Sequence, residues 1–113
     1  MKYMMLVCAD EATELSPEEA RQVERAADTW VEEMTRRGIR LTGQRLRPVS
    51  DATTVQVRGG EVLIADGPFA ETKEQIAGYD IIDCADLDEA IEVASRHPVA
   101  TFGKIEVRPF WVE

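Results

Sequence analysis

Two pairs of neighbours, Met4-Met5 and Ile81-Ile82, constrain this chain more than any other feature. Each pair sits in a run that reads as a strand, where successive side chains point to opposite faces. Residues 2–8, KYMMLVC, set Met4, Leu6 and Cys8 against Tyr3, Met5 and Val7, so both faces are apolar. GYDIIDC (78–84) repeats the pattern with Ile81 and Ile82. Such a sheet needs cover on both sides, and the chain offers two helical stripes, enough for one. Four strands of ~20 Å at ~4.8 Å spacing present a projected face of roughly 400 Å². A soluble monomer does not ordinarily leave that much apolar surface bare. The pattern predicts a homodimer in which a second copy shelters the open face.

The first helix has clear ends. Ser16 is an N-cap, Pro17 suits the first helical position and Glu19 completes a capping box. Ala20, Val23, Ala27, Trp30, Val31 and Met34 follow at helical spacing, with Trp30 and Met34 as core, and Gly38 ends the segment. The second helix starts after Ala85, capped by Asp86, with Glu89 three residues on and Leu87, Ala90, Ile91 and Ala94 as its stripe; Pro98 stops it.

Between the helices lie IRLTGQRL (39–46), TTVQVRG (53–59) and EVLIAD (61–66), the last two joined by the turn signal Gly59-Gly60. GKIEVRPFWV (103–112) is the last strand, with Ile105, Val107 and Trp111 on one side. This order predicts a single α+β domain over residues 1–113, ferredoxin-like, with TTVQVRG and EVLIAD as an inserted or extended hairpin.

The formal charge of −9 and the scattered basic residues argue against direct binding of nucleic acid, which needs a basic face. No apolar run is long enough for a membrane span. Residues 1–7 are too short and lack the cleavage site for a signal peptide. Cys8 and Cys84 sit in apolar runs with no CxxC spacing, as buried thiols in a reducing cytoplasm do. Absence of HxxxH, of CxxC and of a Gly-rich loop after a strand predicts no metal and no nucleotide or other cofactor.

The segment DGPFAETKEQIAGYD (66–80) is the feature with chemistry in it. Eleven residues, Gly67 to Ala77, separate two strand runs where two to five usually suffice. One reading has Asp66 accepting backbone hydrogen bonds in its own turn and Phe69 packing back as a plug. The other has a shaped loop at a strand end, where small domains place function. Asp66, Glu71, Lys73 and Glu74 are ionisable, and Thr72 and Tyr79 add hydroxyls. A carboxylate and an amine held close can share acid–base work. Arg45 and Arg47 are either surface charges or substrate clamps, and Asp10-Glu11 stand at a strand end as cleft-wall candidates.

DGPFAETKEQIAGYDIID, the opening KYMMLVCADE, LTGQRLRPV and the tail LDEAIEVASRHP with GKIEVRPF resemble the DGPF branch of the YCII-related (YciI-like) family over nearly the whole chain. The resemblance implies the dimeric α-β barrel superfamily and a cleft near the sheet ends. The related YciI branch is associated with a His-Asp pair whose His lies near the first helix. This first helix holds none, and the one histidine is His97, after the second helix.

Two functions follow as expectations. The first is a cofactor-free acid–base enzyme on a small organic acid or lactone-like carbonyl compound. Asp66 would move the proton and Lys73 would stabilise negative charge; Arg45, Phe69, Glu71, Thr72 and Tyr79 would meet the substrate. The second is a ligand-sensing or regulatory module, because proteins resembling this branch are often encoded beside, or fused to, extracytoplasmic-function sigma factors.

Overall fold

The structure, a computed structural model, describes residues 1–70 and 72–112. Strand β1 (Lys2–Ala9) is followed by helix α1 (Pro17–Arg36), β2 (Arg40–Arg45), a 3₁₀ turn at Val49–Asp51, β3 (Thr53–Arg58), β4 (Glu61–Asp66) and β5 (Gln75–Asp83). Helix α2 (Leu87–Ser95), a second 3₁₀ turn at Pro98–Thr101 and β6 (Lys104–Pro109) complete the order. Four strands form one antiparallel sheet, β2-β5-β1-β6, which is the ferredoxin-like arrangement. Strands β3 and β4 pair with each other as a separate hairpin between β2 and β5 of that core.

The ends of α1 follow from local chemistry. Ser16 Oγ accepts from the Glu19 N–H and Glu19 Oε1 accepts from the Ser16 N–H, both at 3.1 Å. At the other end Gly38 takes φ 71°, and the N–H groups of Gly38 and Ile39 turn back to Thr35 O and Met34 O. That left-handed exit satisfies carbonyls the helix would otherwise leave bare.

Alternation sorts the sheet. Tyr3, Met5 and Ile82 are buried against Trp30, Met34, Ile39, Ala90, Val93 and Ala94 under the two helices. Met4, Leu6 and Ile81 lie half-buried on the opposite face. In α2 the buried stripe is Ala90, Val93 and Ala94, whereas Leu87 and Ile91 are exposed; the helix is rotated from its expected stripe by its packing on β6.

Two strands, β5 and β6, differ most from expectation in their bounds. β5 starts at Gln75 rather than Gly78, so the loop after β4 is 67–74. The early start is possible because Cys8 pairs with Ile76 while Val7 pairs with Gly78, which leaves Ala77 as an extra residue in a bulge. Ala77 O accepts from the Leu46 N–H at 2.8 Å, tying the bulge to the end of β2. β6 stops at Pro109, and Trp111 beyond it is 94% exposed rather than aligned with Ile105 and Val107.

The radius of gyration is 16.1 Å and the principal extents are 48 × 45 × 19 Å. A compact domain of this length has a radius of about 13 Å. The β3–β4 hairpin, exposed everywhere but at Thr54, accounts for a slab-like shape with an arm. Among the described residues no helix is long and apolar enough to cross a membrane.

Candidate functional site

Helix α1 rests on β2 and on the Pro98–Thr101 turn. Its N-terminal stripe, Ala20, Val23 and Ala27, faces open space rather than packed core. The result is a cleft of about 510 Å³, within the usual ~300–1,000 Å³ of ligand pockets. Val7, Val31, Val99 and Phe102 add apolar wall, while Glu24 and Asp28 of α1 and Arg45 of β2 contribute charge.

The polar floor is an ion pair. Arg40 Nε donates to Asp80 Oδ1 at 2.7 Å, with both side chains largely buried. Burial pushes the Asp80 carboxyl above its ordinary range, and the hydrogen bond and charge of Arg40 oppose that rise without cancelling it. Among the described residues the terminal nitrogens of Arg40 have no hydrogen-bond partner, so they are free to meet a ligand. Gly43 makes the pair possible. A Cβ there would overlap Asp80 Oδ1 and stand 2.6 Å from Tyr79 O and 2.7 Å from an Arg40 terminal nitrogen.

His97 is the second polar group of the cleft. It is buried, its ring meets Trp30 edge-on at 5.0 Å, and its Nδ1 accepts from the Val99 N–H at 3.2 Å. With Nδ1 accepting, the neutral ring carries its proton on Nε2. Burial lowers its pKa to about 4, so it is uncharged at neutral pH. Trp30 is itself fixed by Nε1, which donates to Val93 O at 2.9 Å.

The residues expected to form the site do not converge on this floor. Arg45 lines the cleft on the helix-covered face, opposite Gly78. Tyr79 pairs with Leu6 and Gln44, so its side chain belongs to the open face and it lends backbone to the cleft. Lys73 and Thr72 line a smaller hollow with Asp10, Glu11, Val49, Pro68 and Gln75, and Thr72 Oγ1 donates to Glu74 O at 2.6 Å. That hollow abuts the cleft where Ala9 pairs with Gln75. Asp66 is exposed at the end of β4 opposite Thr53 and lines neither space. Phe69 is 88% exposed, which corrects the expected plug: Pro68 turns the chain inward, and the ring stands outside. Glu71 lies outside the described residues.

Sequence reasoning missed Arg40, Gly43 and Asp80, and weighed His97 without giving it a place in the site. The available signal was Asp80, an acid in the same alternation phase as the buried Ile82. Its partner is forty residues away, and only the β2–β5 register brings the two together.

A β2-β5-β1-β6 sheet carrying two helices on one face, with a cleft under the first, defines an α+β ferredoxin-like protein of the dimeric α-β barrel superfamily. A family model for the YCII-related domain matches residues 1–112, and the chain belongs to that family. It is also similar to "Uncharacterized protein R00369" of Rhizobium meliloti (strain 1021), 49% identical over 67 residues. That match covers 58% of this chain and 54% of the relative, so the chain spans about half the length of the curated protein it matches.

Proposed function

We propose that the cleft under α1 binds a small organic acid or lactone-like carbonyl compound and moves one of its protons without a cofactor. The observation that carries this reading is the buried Asp80 carboxylate, held on one side by Arg40 Nε and raised in basicity by burial. A carboxylate with a raised pKa is a better general base near neutral pH. The free terminal nitrogens of Arg40 would stabilise the oxyanion or enolate that proton removal creates. His97 Nε2 would donate to a carbonyl, and Arg45 would hold the substrate's acid group at the rim. Asp80 thus takes the acid–base role first assigned to Asp66, while Lys73 and Thr72 stand at the adjoining mouth.

The reading includes one domain over residues 1–113, a homodimer packed through the open sheet face, and a cytoplasmic setting. It is tested by solvent-deuterium exchange, followed by NMR, into a panel of small 2-oxo acids and lactones. The wild type should label at least one member, and Asp80→Asn should slow labelling by about 10²–10⁴-fold. No labelling by the wild type, or equal labelling by the variant, would sink it.

A second reading rests on charge. Glu24, Asp28 and Glu32 form an exposed row along α1 in a chain of net charge −9. Such a row suits a basic protein surface, and an extracytoplasmic-function sigma factor is the partner this reading names. Titration calorimetry with that partner, at two salt concentrations, separates docking from no interaction.

A further inference from the structure

We infer that the β3–β4 hairpin is an arm that docks on a second copy of this chain. Val55 pairs with Ile64 and Val57 with Val62, so these four side chains share one face of the hairpin. They are between 57% and 69% exposed. Charges are confined to the ends, Arg58 and Glu61 at the tip and Asp66 at the base. A lone two-stranded hairpin is marginal in water, and one with a bare aliphatic face needs a surface to lie on.

Area and charge point to the same occupant. A stable pair buries ~800 Å² per partner. The open face of the main sheet, at roughly 400 Å² projected, supplies the larger part of it. Six-residue strands paired at ~4.8 Å give the hairpin roughly another 200 Å². Phe69, just beyond β4 and almost fully exposed, adds ~150–250 Å². Together these approach what two-fold pairing requires. Two chains of net charge −9 repel through most of their surfaces. The aliphatic face of the arm, with charge only at its ends, is a place where they can meet without that penalty.

This inference goes beyond the chemistry of the cleft and shares with the proposed function only the two-copy assembly. The test combines hydrogen exchange on the wild-type chain with light scattering on the wild type and on Val57→Asp. The expected result is a dimer at micromolar concentration, with the β3–β4 amides losing at least tenfold of their protection on dilution to the monomer. Val57→Asp should raise the dimer dissociation constant at least tenfold. A dimer whose hairpin exchanges freely, or one that Val57→Asp leaves intact, overturns the arm and spares the sheet-face pairing. A wild-type monomer overturns both and assigns the aliphatic face to a different protein. The wild-type exchange measurement decides the matter even if the variant fails to fold.

Discussion

Asp80 stands directly opposite Gly43 in the β2–β5 register, and the space that Gly43 leaves empty is taken by the Asp80 carboxylate and the Arg40 guanidinium. A buried pair with one partner removed is costly, because the remaining charge keeps its desolvation without its attraction. The glycine therefore works as part of the site, although it has no side chain to offer.

Gly43→Ala should test that dependence. The new methyl group meets Asp80 and the Tyr79 backbone oxygen, and a backbone atom in a central strand cannot step aside as a flexible side chain would. The expected loss is about 1–3 kcal/mol of unfolding free energy, as for overpacking elsewhere. Urea denaturation measures it; a midpoint matching the wild type would mean that the floor of the cleft is looser than its geometry.

The buried imidazole makes stability depend on pH in a defined window. The folded-state pKa of His97 is about 4, against 6.5 for the exposed ring, so the unfolded chain binds the proton more tightly. Its contribution is fully present above pH 6.5 and is lost as pH falls from there towards 4. With a discount for solvent on the cleft side, the full loss is about 2 kcal/mol. Since His97 is the sole histidine, its ring proton signal is unambiguous by NMR. A titration midpoint near 4 is expected, and a midpoint near 6.5 would place the ring in water.

Trp30 ties α1 to α2 through its indole N–H. Trp30→Phe keeps the ring and removes the donor, leaving Val93 O with only the longer 3.3 Å bond from the Arg96 N–H. The expected cost is about 0.5–1.5 kcal/mol, the net worth of one hydrogen bond. Denaturant melts should show a lower midpoint with an unchanged slope, since the surface exposed on unfolding stays the same.

The two thiols should be slow nucleophiles. Burial raises the pKa of both, that of Cys84 to about 11, and the neighbouring carboxylates Glu89 and Asp83 add to its rise. At pH 8 only about one Cys84 in a thousand is then thiolate. Alkylation of the native chain should be far slower than of the denatured chain, with Cys8, half-buried on the open face, reacting first.

Local chemistry was legible in the sequence and distant pairing was not. Ser16, Pro17, Glu19 and Gly38 mark the ends of α1 because a cap is made by residues within one turn of each other. Gly59-Gly60 mark the hairpin for the same reason. The true start of β5 was hidden because its partners Cys8 and Ala9 lie far back in the chain and the pairing slips at Ala77. Asp80 reads as one more charge until β2 is laid beside β5. Phe69 was misread because an aromatic after Pro looks like an anchor, and nothing local says which way the ring points.

The bulge at Ala77 bears on how this protein could be re-engineered. With a spare residue clamped to the end of β2, the register from Gly78 onward is set by its own strand partners rather than by the segment ahead of the bulge. Loop length can be altered upstream while the carboxylate three positions downstream stays in place, so new recognition could be grafted at the rim without rebuilding the chemistry beneath.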